Sequence, residues 1–343
     1  MIKKILVIEL AGIGDLVMAS PALAGLREKF PKSHIAILSL TRARALLRHC
    51  PYIDQLFSFN EDIFSLRYLK KNIKTLIQIR RQNFDIALNL YNLYSWAGVL
   101  KMRILFSLLG AKQTLGRNTD GKGKFYDLRV EDSIKWRKHQ VEYIMDVVRA
   151  LGVETANRKL EVWSDAQDQQ VARKFLARNS VSPEDLVIGI HPGAARFSRR
   201  WPLENFAQLA DQLIKRYQAK IVITGGKKEI DLVKQLSSLM GQKPVIATAE
   251  LSLSEVSALI KKCSLYITND TGPMHIANAL NVPLVAIMGP GPEELGPYQR
   301  NKCVVLRKYT GCSPCYKFNC QDLSCLRMIS VNDVLHAADK LLA

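Results

Sequence analysis

Short apolar runs closed by glycine- and aspartate-bearing turns alternate with stretches of helical periodicity along nearly all of the chain, the pattern of repeated strand–helix units. Ile5 to Leu10 reads as a first buried strand, and Ala11, Gly12, Ile13, Gly14 and Asp15 form a turn into a helix beginning near Leu16 or Val17. Lys32 to Leu40 gives a second strand and Asp85 to Leu90 a later one. Between them Ile63 to Phe84 has apolar residues at helical spacing interleaved with Arg67, Lys70, Lys71, Lys74, Arg80 and Arg81, so a basic amphipathic helix or helix pair is expected. That segment is either a solvated helix packed on a sheet or a contact for an anionic surface. A second basic stretch, Lys101 to Lys124, ends in GRNTDGKGKF, which reads either as a mobile lid or as a plain connection. Trp136 to Gly152 is expected to be helical, and Glu161 to Asp165 an edge strand leading into a linker.

A second α/β unit follows. Leu186 to His191 is a strand, a loop carrying Arg196, Arg199 and Arg200 leads to a helix starting at Pro202, and Ala219 to Thr224 is a strand entering the Gly225, Gly226 turn. Leu265 to Gly289 then reads as strand, tight turn, short helix and strand: Leu265, Tyr266 and Ile267 are apolar, Asn269, Asp270, Thr271 and Gly272 break the run, and Pro273 suits a helix start. The unpaired N–H groups of such a start favour a phosphate at Thr271 and Gly272. Asp270 or Thr271 capping its own helix is the competing reading. Strand–helix alternation throughout predicts two doubly wound α/β domains facing each other across a cleft, spanning 1–165 and 166–330, with a closing helix in 331–343. In open parallel sheets ligands bind at the carboxyl ends of strands, which places Asp15 to reach a reacting group, unless it only caps the next helix.

Composition changes the picture in one respect. At 343 residues, 48% hydrophobic and 23% charged, the chain is ordinary globular material, but 49 Lys and Arg against 31 Asp and Glu gives a net charge of +18. Residues 1–160 hold 27 basic and 14 acidic side chains, so +13 of that excess lies in the first half. Such a field suits nucleic acid, an anionic membrane surface or a phosphorylated substrate, and it also serves solubility. Glu9 and Asp15 interrupt the apolar start, which argues against a signal peptide. Lys101 and Arg103 break the longest apolar stretch, so no membrane span is expected.

Of seven cysteines, Cys50 and Cys263 are isolated, a usage that fits a reducing cytoplasm. Cys312, Cys315, Cys320 and Cys325 are spaced C-x2-C-x4-C-x4-C, close enough either to hold zinc or to form a loose cluster of free thiols. A basic nucleic-acid-binding protein with a cysteine zinc site would use that cluster, but it gives the Asp15 and Asp270 turns no role. The first turn is not GxGxxG, which weighs against a dinucleotide oxidoreductase.

Three motifs together resemble glycosyltransferase family 9, the ADP-heptose:lipopolysaccharide heptosyltransferases: GIGDLVMASPAL at Gly12 to Leu23, HPGAARFSRRWPLENFAQLA at His191 to Ala210 and NDTGPMHIANAL at Asn269 to Leu280. The resemblance implies a GT-B fold of two Rossmann-like domains, the first binding the acceptor and the second the nucleotide sugar. It implies inverting, metal-independent transfer of heptose from ADP-heptose, without a cofactor, to the lipopolysaccharide inner core, with Asp15 as general base and Gly12 and Gly14 leaving room for the acceptor. Arg199, where family members commonly carry lysine, and the Thr271 and Gly272 backbone would hold the diphosphate, with His275 one helical turn on. Asp270 would contact sugar hydroxyls, and Glu229 and Leu251 the ribose and adenine. The implied partners are the nucleotide sugar, a phosphorylated lipid A core and the anionic cytoplasmic face of the inner membrane, with no nucleic acid. A transferase of the same family using another sugar or acceptor fits the motifs as well.

Overall fold

The computed structural model describes residues 2–60, 66–133, 137–315, 317 and 319–343; the Ile63 to Ser65 start of the expected basic helix and the Trp136 start of the later one lie outside them. The chain divides into two compact units, Met1–Trp163 and Ser164–Ala343.

The first unit runs β1 Lys4–Glu9, α1 Ile13–Met18, α2 Ser20–Lys29, β2 His34–Leu40, α3 Arg44–Leu47, β3 Gln55–Phe59, α4 Leu66–Arg80, β4 Ile86–Asn89, α5 Trp96–Leu109, β5 Gln113–Thr119, β6 Leu128–Asp132 and α6 Gln140–Arg149. Its sheet has the order β3-β2-β1-β4-β5-β6 with every pair parallel. Central strands covered on both faces must be apolar throughout, and β1 and β2 are: Ile5 to Ile8 and Ile35 to Leu38 are wholly buried. The chain runs outward from β1 to β3, returns through α4, then runs outward again from β4. The strand order therefore reverses between β1 and β4, where Ile8 pairs with Asn89.

The second unit repeats the plan with α7 Ala166–Arg178, β7 Val187–His191, α8 Leu203–Tyr217, β8 Lys220–Ile223, α9 Ile230–Leu239, β9 Val245–Ile246, α10 Leu253–Ile260, β10 Leu265–Asn269, α11 Gly272–Ala279, β11 Leu284–Ile287, β12 Cys303–Leu306, α12 Ser324–Arg327 and α13 Val331–Leu342. Its parallel sheet is ordered β12-β11-β10-β7-β8-β9, so the reversal falls between β7 and β10. Both sheets thus have the connectivity of dinucleotide-type doubly wound folds, whose ligand crevice opens at the reversal. Side-chain caps start two of these helices: Asp165 accepts from Asp168 N–H at 2.8 Å and Ser330 from Asp333 N–H at 3.1 Å, each cap worth about 1 kcal/mol. The apolar face of α13, with Val334, Ala337 and Ala338, packs into the second unit's core beside Leu326 and Phe206.

Three expectations change. Glu161 to Asp165 forms no strand. The Glu161 carboxylate there accepts from the Tyr52 hydroxyl at 2.9 Å and from Trp163 Nε1 at 3.1 Å, side-chain anchors that periodicity does not reveal. The GRNTDGKGKF run is not a free loop: Gly116 to Thr119 belong to β5, and Asn118 Oδ1 accepts from Gly123 N–H at 2.8 Å to fold the rest back. Finally, α1 begins at Ile13, ahead of the expected Leu16 or Val17.

Candidate functional site

In the second unit the carboxyl ends of β7 and β10 lie side by side, Thr268 in register with His191. Asn269 closes β10 and ties the two loops together. Its amide donates to Pro192 O at 2.8 Å while its carbonyl accepts from Trp201 N–H at 3.0 Å. Trp201 is buried, donates from Nε1 to Ile329 O at 2.9 Å and meets the Phe206 ring edge-on at 4.9 Å. The arginine-bearing loop between Pro192 and Trp201 is therefore held at both ends by one buried amide.

That loop places Arg199 against Asp270, Nη1 to Oδ2 at 3.1 Å. Asp270 is buried, and burial raises its pKa although Arg199, then Arg196 and Arg307, pull the other way. Arg199 Nε is buried with no hydrogen-bond acceptor. Gly291, beyond β11, closes the other side: a Cβ there would stand 2.9 Å from Asp270 Oδ2 and 3.6 Å from Arg199 Nη2. A guanidinium with donors to spare, set beside a buried carboxylate, is a site for oxygen-rich ligands.

Thr271 is the N-cap of α11 in extended backbone, but its side chain makes no cap hydrogen bond, and Asp270 Oδ2 is buried without a hydrogen-bond partner. The first N–H groups of α11 at Gly272 and the following residues carry the positive end of the helix dipole. Pro273 stands in the first turn, and His275 lies buried in the same helix.

Glu229 follows the Gly225–Gly226 turn and accepts from Gly226 N–H at 2.7 Å. Its Oε2 lies 3.7 Å from His191 Nε2, and His191 Nδ1 meets Thr224 Oγ1 at 3.1 Å, which in turn meets the Tyr266 hydroxyl at 2.6 Å. Burial lowers the pKa of His191, partly opposed by Glu229, so the ring is neutral at pH 7. The absence of a side chain at Gly193 lets Glu229 lie here, because a Cβ would fall 1.8 Å from Glu229 Oε1 and push that carboxylate aside. Leu251 is half-buried in the turn before Ser252, the N-cap of α10, and makes no part of this hydrogen-bonded cluster.

The four C-terminal cysteines line one small cavity of about 20 Å³ together with Ser198 and Pro290. Their loop braces two others: Ser198 Oγ of the arginine loop donates to Lys317 O at 2.6 Å, and Cys315 N–H donates to Pro290 O, in the loop after β11, at 2.8 Å. Cys325 is buried in the core, and burial, then the neighbouring thiols, raise its pKa.

In the first unit the equivalent reversal carries Asp15. It occupies the third position of α1, whose N-cap is Gly12, and its Oδ2 accepts from Gly12 N–H at 3.0 Å. Asp15 is thus not the cap residue; its carboxylate reaches back across the turn that holds Gly12 and Gly14. The sequence pattern passes over Glu9, at the end of β1. Its Oε1 accepts from Ala11 N–H at 3.0 Å, its Oε2 is buried without a hydrogen bond, and burial followed by the charge of Asp15 raises its pKa from 4.5 to about 8. Asn89, Asn92 and Tyr91 come from the end of β4, and burial and the nearby Asp15 raise the pKa of Tyr91. A carboxyl kept neutral by burial beside a second carboxyl group at the strand reversal is an arrangement suited to a site that moves a proton. A carboxylate closing a buried strand just before a glycine turn is the signal that would have found Glu9 in the sequence.

Comparison with known proteins fits this geometry. The pattern of glycosyltransferase family 9 (heptosyltransferase) matches residues 73–325. The chain is 27% identical over 319 residues to lipopolysaccharide heptosyltransferase 2 of Escherichia coli K12, covering 90% of this chain and 89% of that one. It is 23% identical to lipooligosaccharide heptosyltransferase 2 of Campylobacter jejuni serotype O:6, covering 96% of each. Among solved structures, a glycosyl transferase family 9 protein of Veillonella parvula superposes with a TM-score of 0.84 at 26% identity, over 99% of this chain and 97% of that one. The ADP-heptose lipopolysaccharide heptosyltransferase II of E. coli gives 0.78 at 24% identity, over 99% and 98%. With two parallel six-stranded α/β units and this match along most of its length, the chain is a GT-B enzyme belonging to glycosyltransferase family 9.

Proposed function

We propose that this enzyme moves heptose from ADP-heptose to the lipopolysaccharide inner core, with inversion at the anomeric carbon and without a metal ion, at the cytoplasmic face of the inner membrane. The observation that carries the reading is the Arg199–Asp270 pair beside the uncapped start of α11, at the strand reversal of the second unit. Arg199 and the α11 N–H groups at Thr271 and Gly272 hold the diphosphate, and Asp270 accepts from sugar hydroxyls. Fixed donors of this kind contribute about 3 kcal/mol each where charge develops in the transition state. His275, buried in α11, lies behind the phosphates; Glu229 and Leu251 face the nucleoside.

The first unit holds the phosphorylated lipid A core, a substrate suited to its positive charge. An acceptor hydroxyl oxygen attacks the anomeric carbon, its proton passes to Asp15, and the bond from that carbon to the β-phosphate oxygen breaks to release ADP. Asp15 suits this role because the hydroxyl becomes acidic only as the new bond forms. Glu9, kept protonated at neutral pH, adds no second negative charge against the incoming phosphates. The leaving group's charge falls on Arg199 and the helix start, which supports transfer without a divalent cation.

The test is incubation with ADP-heptose and a Kdo-bearing lipid A acceptor in EDTA, reading product by mass and anomeric configuration by NMR. Heptosylated acceptor of inverted configuration supports the reading. Transfer only after magnesium is added refutes metal independence, and transfer from a different nucleotide sugar moves the enzyme to another donor within the family.

A further inference from the structure

α5 is apolar on two opposite sides. Met102, Leu105, Phe106 and Leu109 are buried against the sheet, as a covering helix requires. Trp96, Leu100, Ile104 and Leu108, four residues apart, form a second ridge turned away from it, between 48 and 67% exposed in the whole chain. α4 carries a shorter stripe of the same spacing, Leu69, Ile73 and Ile77, between 39 and 46% exposed. The two stripes adjoin. Arg80, one turn beyond Ile77, donates to the carbonyls of Ser107 and Leu108 at 3.2 and 3.1 Å, so this side of α4 faces α5.

The chemistry around the ridge is one-sided. Lys70, Lys71 and Lys74 on α4 and Lys101 and Arg103 on α5 are exposed, and neither helix contains an aspartate or glutamate. Lys122 Nζ stands 6.0 Å from the Trp96 ring centre, with Asp120 Oδ2 3.9 Å from that nitrogen as a carboxylate at this end of the ridge. Monomeric proteins rarely leave so long an apolar surface in water. What covers it must accept tryptophan, leucine and isoleucine at its centre and supply negative charge at its rim. An anionic bilayer does both, taking the apolar side chains at the boundary of headgroups and acyl chains while lysines reach the phosphates. Among the described residues no helix is long and apolar enough to cross a membrane, so the contact is with the surface.

We propose that the α4–α5 face of the first unit docks reversibly on an anionic phospholipid surface. The inference rests on the proposed function for why a bilayer is at hand, and on the surface itself for which face meets it.

The test is sedimentation of the full chain with vesicles of phosphatidylglycerol and phosphatidylethanolamine, against vesicles of phosphatidylcholine alone, at low and high salt. Wild type sediments with the anionic vesicles and is released by salt. The double variant Leu100→Gln/Ile104→Gln loses that binding about tenfold or more, while its Tm and its affinity for ADP stay unchanged. Replacing Lys70, Lys71 and Lys74 by glutamine weakens binding and flattens its salt dependence. Equal sedimentation of variant and wild type, or no binding of wild type to anionic vesicles, overturns the proposal. So does a dimer, seen by ultracentrifugation without lipid and abolished by the same two substitutions, because a second copy would then cover the ridge. Vesicle binding without ADP binding would sink the proposed function alone, and ADP binding without vesicle binding would sink the docking face alone.

Discussion

Arg199 reaches the buried carboxylate of Asp270 at 3.1 Å, and the two lie 71 residues apart in loops that the Asn269 side chain holds together. Neither residue is satisfied by the other: Asp270 is held above its ordinary pKa by burial, and Arg199 keeps a buried nitrogen without an acceptor. A ligand bearing both phosphate and hydroxyl groups would complete them. Replacing Arg199 by alanine should therefore weaken ADP binding about 10- to 100-fold, the size of a lost charge-assisted hydrogen bond. Calorimetric titration checks this, and unchanged affinity removes Arg199 from the diphosphate site.

Asp15→Asn should leave ADP affinity within about twofold and lower kcat by about a hundred- to ten-thousand-fold, since it removes a base and no donor contact. The amide still accepts from Gly12 N–H, so the turn keeps its shape. Turnover at the wild-type rate would show that the proton goes elsewhere.

Glu9 makes a prediction about stability against pH. Burial, then Asp15, raise its pKa in the folded chain from 4.5 to about 8, so between those values the folded state binds more protons than the unfolded one. Its contribution is fully present below pH 4.5 and is lost as pH rises toward 8. Glu9→Gln should flatten the fall of Tm over that window and melt higher than wild type at pH 8. Parallel curves for the two proteins would mean that Glu9 is ionised in the fold.

Gly193→Ala brings a methyl group to within 1.8 Å of Glu229 Oε1. The obstructing atoms are the end of the flexible Glu229 side chain, which must swing away, so the cost should be about 1 kcal/mol or less, at about 2–4 °C of Tm per kcal/mol in a unit of this size. Glu229→Ala in the same chain should recover most of the loss, because the obstructing carboxylate is gone. A double variant as unstable as Gly193→Ala would place the strain in the backbone instead.

The apolar runs Ile5 to Leu10, Leu186 to His191 and Leu265 to Ile267 revealed the central strands because a strand buried on both faces has almost no freedom in composition. The turns that follow them were legible for the same reason: Asp15, Asp270, Thr271 and Gly272 interrupt hydrophobic sequence abruptly. What stayed hidden depends on which groups each side chain ends up bonding, a choice the folded chain makes for near and distant partners alike. Glu161 looked like part of a strand because its partners, Tyr52 and Trp163, are set by the fold. The run from Gly116 looked loose because Asn118, a turn-forming residue by habit, spends its carbonyl on Gly123. Glu9 read as a mere interruption of an apolar stretch, although its place at the end of a buried strand before a glycine turn marks it, because its burial beside Asp15 is set by the fold. The cysteine run was visible, but its bracing of the arginine loop at Ser198 and of the loop after β11 at Pro290 was not.

The most direct test of the account is calorimetric titration of the purified chain with ADP, UDP, GDP and NAD in the presence of EDTA. Selective binding of ADP, with no gain when magnesium replaces the chelator, is the predicted result. Preference for UDP or GDP, or ADP binding that appears only with metal, would contradict the donor chemistry assigned to Arg199, Asp270 and the start of α11.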